Sequence, residues 1–212
     1  MSTLATLKSQ IADDLARDDL TTQIAAAITQ AIEFYKEERL FWMDNRTETF
    51  VTVADQSAYD SDDDDVMSLM IKIDGVILTD SDGIKYGPLD RIDQMVMERL
   101  LDSSASTGRP DTWSYYNDTI FLHPIPDAVY TVLPMGQIEV AAPSSEGEAG
   151  NKWMTKGYEL IRSRAKAYLF VHTVKDPEQA MVMRMAAEEE LNKLRRNTSK
   201  RTATGRIVAT QF

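Results

Sequence analysis

The chain has 212 residues, 34 acidic and 23 basic side chains and a net charge of −11. At 43% hydrophobic it can close a core, and its acidity excludes a uniformly basic nucleic-acid binder, which needs Lys and Arg in excess on the contacting face. With no cysteine there is no disulfide, no thiolate metal site and no Cys nucleophile.

Leu4, Leu7, Ile11 and Leu15 form the stripe of a short amphipathic helix. Asp18 and Asp19 are placed to cap a second helix, read from about Leu20 to Trp42, with Ile24, Ala27, Ile28, Ala31, Ile32 and Tyr35 on its apolar face. The clusters Phe34-Tyr35 and Leu40-Phe41-Trp42 need another layer to cover them. After Asn45 the pattern changes. Thr49–Val53 and Met70–Ile73 are β-branched and aromatic, which predicts strands. Asp74-Gly75 predicts a type I′ hairpin and Asp82-Gly83 a further turn. A short helix is read from Asp90 to Asp102, with Ile92, Val96 and Leu100 on one face.

Trp113–Tyr116 and Thr119–His123 read as strands around a turn at Asn117-Asp118, ended by Pro124 and Pro126. Tyr130–Leu133 and Gln137–Val140 read as a last strand or pair broken at Pro134. Ala141–Asn151 is a linker rich in Gly, Pro and Ser. Helical spacing resumes with Leu160, Ile161, Ala165, Tyr168, Leu169 and His172. Asp176-Pro177-Glu178-Gln179 is a helix start, Asp as the cap and Pro in the first turn. Ala180, Met183, Ala187, Leu191 and Leu194 form the last stripe, and Thr198–Phe212 lacks the periodicity to dock on a core.

The expected fold is α+β. The N-terminal helix pair (1–45) and the C-terminal pair with its linker (143–197) make a four-helix core. Residues 46–142 form a central β-rich insertion with one short helix, and 198–212 an extended C-terminal arm. Charge follows this division. Residues 1–151 hold 28 acids and 10 bases, whereas 152–212 hold 13 bases and 6 acids. From Leu191 onward there are six bases and no acid, either a helix end lying against acidic neighbours or a basic arm.

Little in the chain points to catalysis. His123 lies at a strand end and His172 on an apolar stripe, without the partners of a metal motif. Gly-x-Ser-x-Gly, P-loop and Gly-x-Gly-x-x-Gly motifs are absent. The run from Asp60 through Asp62, Asp63, Asp64 and Asp65 lacks the central Gly and closing Glu of an EF-hand and reads as a solvated loop. Glu37-Glu38 and Glu188-Glu189-Glu190 read as solvent faces of helices. Met181, Met183 and Met185 cannot all share one helix face, which points to a second chain. No catalytic residue, metal ligand or cofactor is assigned. No signal peptide is read at the N-terminus, and no apolar run reaches the ~20 residues of a membrane span. A soluble chain made in a reducing compartment is expected.

Three stretches together resemble the head–tail adaptor (connector, or head-completion) proteins of tailed bacteriophages. They are Leu7–Arg17 with Ile32–Trp42; Thr107-Gly-Arg-Pro110 with Trp113–Tyr116 and Ile120–Tyr130; and Trp153–Tyr168 with Lys175–Ala180 and Thr204-Gly-Arg206. The resemblance implies a non-enzymatic structural protein of the virion, made in the bacterial cytoplasm and placed at the portal–tail junction. There such proteins form a homo-oligomeric ring, typically of twelve copies. The implied partners are the portal protein, a tail or nozzle protein and passing double-stranded DNA, which is not bound specifically. The ring would seal the portal after packaging, form part of the DNA conduit and have no membrane contact. C-terminal arms would reach the portal, which here falls on Lys200, Arg201, Arg206, Ile207, Val208 and Phe212. Asp62–Asp65 would face the lumen or rim. Competing readings are a tail-completion or terminator protein, a cell-wall hydrolase using a carboxylate pair, and a nucleic-acid-binding module using the basic segment.

Overall fold

The computed structural model describes residues 2–103 and 106–202 as a mixed α+β chain. Two compact units emerge, Met1–Trp42 with Val140–Phe212, and Met43–Glu139. Among the described residues seven α-helices form: α1 (Leu4–Leu15), α2 (Thr21–Tyr35), α3 (Asp65–Leu69), α4 (Gln94–Ser103), α5 (Lys152–Lys156), α6 (Tyr158–Leu169) and α7 (Pro177–Thr202).

In the first unit α1 carries its predicted stripe, with Leu7 and Ile11 fully buried. The Thr3 hydroxyl caps it by accepting the Thr6 N–H, and Ala16 closes it in the left-handed conformation. The two aspartates expected to cap α2 do not. They lie in a 3-10 turn, Asp18–Leu20, where Asp19 takes the Arg17 guanidinium at 2.7 Å. Helix α2 buries the predicted residues but ends at Tyr35, well short of Trp42. Leu40 and Trp42 are both buried, and a continued helix would put them on nearly opposite faces. Leaving the helix lets both turn inward. The segment is then held by α7, where Thr198 Oγ1 accepts the Phe41 N–H at 3.1 Å and the Arg201 guanidinium lies 4.0 Å from the Phe41 ring centre.

Helix α6 packs against α2 and α7 and also meets α1. Its Leu160, Ile161, Ala165, Ala167 and Leu169 are buried. Polar rungs tie it to α1. Tyr158 donates to Gln10 Oε1 at 2.7 Å; Arg162 reaches the two Asp14 oxygens at 2.9 and 3.0 Å; Lys166 adds a bond to Asp14 at 3.0 Å. A four-residue step on both helices keeps the rungs in line. A π-helical turn, Phe170–Val174, contains His172, so this residue leaves the α-helical stripe read for it. Asp176 then accepts the Gln179 N–H at 3.0 Å, the predicted cap. Helix α7 buries Ala180, Ala187, Leu191 and Leu194 and continues through Thr202. Residues 198–202, expected as the start of an extended arm, are therefore helical; the rest of that arm, 203–212, lies outside the described residues.

The second unit holds eleven strands among its described residues: β1 (Asp44–Asn45), β2 (Phe50–Val51), β3 (Ala58–Tyr59), β4 (Met70–Thr79), β5 (Lys85–Tyr86), β6 (Asp90–Arg91), β7 (Thr107–Gly108), β8 (Thr112–Tyr116), β9 (Thr119–His123), β10 (Ile125–Pro126) and β11 (Thr131–Ile138). One sheet runs β1-β11-β4-β5, with β2 also on β11; a second runs β3-β9-β8-β6; β7 and β10 form a parallel pair. A single apolar cluster takes Phe50, Val76, Leu78 and Val132 from the first sheet and Tyr59, Trp113, Ile120 and Leu122 from the second.

Two local signals, one for a turn and one for a strand break, are overridden. Asp74-Gly75 forms no hairpin, because β4 runs through it against β11. Met135 faces Gly75 but Gly136 faces Ile73, which leaves Asp74 as the extra residue of a bulge. A side chain at Gly136 would overlap the Lys72 carbonyl, so the bulge and the glycine opposite it are matched. The chain reverses later, at Asp80–Ile84, where Asp80 accepts the Ile84 N–H at 2.8 Å and Gly83 takes a φ of +80°. Pro134 does not break β11 either. Its carbonyl points to the gap between β1 and β2 and accepts Asn45 Nδ2 at 2.8 Å. In an antiparallel strand the missing N–H falls on that same side, where no ladder bond is made. Buried Asn45 also donates to the Glu48 carbonyl and accepts the N–H groups of Thr47 and Glu48.

Elsewhere the local signals hold. Asn117 and Asp118 adopt φ of 50° and 59°, as a type I′ turn requires. Helix α4 begins later than the Asp90 expected, because Asp90–Arg91 is a strand, Ile92 bonds to Trp113, and Asp93 caps the helix through the Met95 N–H.

Asn45→Ala should strand the Pro134 carbonyl and two backbone N–H groups, costing about 2–4 kcal/mol. The measurements are a lower urea midpoint and faster amide exchange concentrated in 44–51 and 131–138. Asp14 gives a pH-dependent test. Burial raises its pKa, but the bonds from Lys166 and Arg162 outweigh this and hold the carboxyl below its ordinary value. The resulting stability is present at neutral pH and is lost as pH falls below about 4. Asp14→Asn should cost about 1 kcal/mol at pH 7, and its difference from the native chain in urea melts should narrow below about pH 4.

Candidate interaction surfaces

Both polar clusters and exposed apolar side chains follow from the helix phases just described. Phe34 is one position off the buried stripe of α2 and is 58% exposed. The Arg164 guanidinium of α6 stands 3.7 Å from its ring centre, and Tyr168 lines the same α2–α6 groove. A second groove, between α6 and α7, is lined by Arg164, Val171, Met181, Arg184 and Met185. The outer face of α7 continues from Val182 and Met185 to Arg195, Arg196 and Lys200. Met181 and Met185 are 66% and 65% exposed while Met183 is half-buried, the split required by their alternation. Phe34, expected to need cover, is outward, as its position off the stripe requires.

Lys200 and Arg201 lie in the last turn of α7 and are helical, not extended. Arg201 is spent on Phe41, a contact within the helical unit. Arg206, Ile207, Val208 and Phe212 lie outside the described residues. The acidic run makes its own local structure. The Asp62 N–H donates to Asp60; Asp63 accepts Gln56 Nε2 at 2.8 Å; Asp64 caps α3 through the Val66 N–H at 2.9 Å; Asp65 sits in the first turn. Among the described residues no group of three or more His, Asp or Glu is arranged to hold a metal ion.

The other sequence candidates are occupied by structural contacts. Glu38 takes the Arg195 guanidinium at 2.6 Å, and Glu190 takes Lys193 at 3.1 Å. His123 Nε2 is 3.4 Å from Ser106 Oγ, and the His172 ring centre is 4.3 Å from that of Tyr168. Within Thr107-Gly-Arg-Pro110, Thr107 and Gly108 pair with β10, and Arg109 stacks 4.0 Å from the Tyr86 ring centre. Tyr86 in turn donates to Asp80 Oδ2 at 2.8 Å. This arginine fastens its loop to the β4–β5 hairpin.

The fold moves the titration of several groups further from pH 7. The Ile84 N–H, with smaller contributions from Tyr86 and Asp82, holds Asp80 low. Burial pushes Tyr115 and Tyr130 up to about 12, reinforced by Asp118 and Asp127 respectively. Such groups hold shape through fixed charges and fixed donors. Among the described residues no helix is long and apolar enough to cross a membrane.

Residues 2–210 match the family described as SU10 adaptor protein. No curated protein is matched. Since the match covers nearly the whole chain, helical unit and β-rich unit alike, the protein belongs to the SU10 adaptor family of phage head–tail adaptors.

Proposed function

We propose that the chain is a structural virion protein that forms a ring between the portal and the tail or nozzle. In this reading it seals the portal after DNA packaging and contributes to the conduit, acting without catalysis. The near full-length family match is the observation that carries the proposal. Helices α1, α2, α6 and α7 serve as the four-helix core of each subunit. The residues after Thr202, with Arg206, Ile207, Val208 and Phe212, serve as the portal-binding arm. Ordering such an arm on docking costs entropy, which several copies acting together offset. Asp62–Asp65 would present negative charge to passing DNA and keep the wall from sticking to it.

The structure changes how the arm must be tested. Thr198 and Arg201 are contacts of the helical unit, so a deletion from 198 would damage the fold. Deletion should begin at Ala203. Mixed with the portal protein encoded beside it, the full chain should give ring complexes by electron microscopy. The chain ending at Thr202 should keep its helical content and lose the complex. Unchanged binding by the shortened chain would place the portal contact elsewhere, and a full chain that forms no ring with the portal would overturn the ring reading.

A further inference from the structure

Three grooves of the helical unit adjoin through shared residues. Arg164 lines both the α2–α6 and the α6–α7 grooves, while Met185 and Glu188 line both the latter and the outer face of α7. Together they form one strip carrying Phe34, Tyr168, Met181, Val182 and Met185. Aromatic, Met and Arg side chains are the types enriched at the centres of protein interfaces. Across the whole strip the cations Arg164, Arg184, Arg195, Arg196 and Lys200 outnumber the acids Glu33, Glu188 and Glu189, with Arg195 also paired to Glu38. The surface that fits this strip is partly apolar and strongly acidic.

The chain itself supplies such a surface. Residues 43–139 hold 19 acids and 6 bases, a net of −13, and expose Val51, Val53, Ile84 and Val129. Pairing strip with strip would oppose cation to cation; pairing the strip with the β-rich unit brings opposite charges together. We propose that the α2–α6–α7 strip binds the acidic β-rich unit of a second copy, head to tail. Two different surfaces meeting in this way generate a closed ring when the rotation between copies closes. The inference rests on the ring reading above and assigns it an interface.

The test uses the full-length protein in virions, with a photo-reactive amino acid replacing Met185. Irradiation should give a product of twice the chain mass, whose peptides join position 185 to residues 43–139. Cross-links only to another protein, only to the helical unit of a second copy, or none at all would overturn the inference. Copy number per virion separates the two levels. Many copies with cross-links elsewhere leave the ring and remove this interface, whereas a single copy removes both. As a second measurement, Arg184→Glu should lower the amount incorporated into virions roughly tenfold, since it sets like charges face to face. Unchanged incorporation with native helical content would count against the interface.

Discussion

Burial of α6 is the constraint on which the helical unit depends. Among the described residues four other helices, α1, α2, α5 and α7, meet this one element, and its surface is divided among them. Small side chains such as Ala165 and Ala167 let neighbours approach, and buried Leu160, Ile161 and Leu169 supply the apolar contact. On the flank facing α1, polar rungs are added, with Tyr158, Arg162 and Lys166 meeting Gln10 and Asp14. Because those rungs are directional, they fix the longitudinal position of α1 in a way that a greasy stripe alone would not. The end of α2 and the last turns of α7 are fixed to each other by Thr198, Glu38 and Arg195.

The β-rich unit rests on a different device, the long antiparallel pairing of β4 with β11. Three residues that usually weaken a strand lie within it, Pro134, Gly136 and Gly75, and the first two each have a local answer. Asn45 fills the space beside Pro134 with four hydrogen bonds, and the bulge at Asp74 makes room for backbone approach at Gly136. Charge separates along the same lines as structure, with the acidic surplus concentrated in this unit.

Much of this was legible from residue patterns, and the failures have a common cause. The stripes of α1 and α7, the Asp176 cap and the Asn117-Asp118 turn depend on neighbours a few residues away, so local sequence suffices. Asp74-Gly75 and Pro134 depend on a partner strand some sixty residues distant in the chain, and local turn chemistry lost to the ladder. The early end of α2 and the helical state of 198–202 are two sides of one long-range contact, Phe41 with Thr198 and Arg201. Neither segment announces the other. For the interaction surfaces, the methionine alternation and the basic C-terminal third were visible, but the joining of Phe34 to Arg164 required the packing of α2 on α6.

The helical unit is assembled from both ends of the chain, and its cross-contacts span long separations: 148 residues for Gln10 with Tyr158, 157 for Glu38 with Arg195. That geometry imposes an order of birth. At ~5–20 residues per second, the ribosome takes roughly 6 to 25 s to travel from the end of α2 to the start of α6. Throughout that interval α1 and α2 have only each other and lack the cover of α6 and α7, while the strands of the β-rich unit emerge already able to pair. The nascent chain therefore spends its synthesis with a greasy N-terminal helix pair on display, a natural substrate for chaperones, and the helical unit closes last.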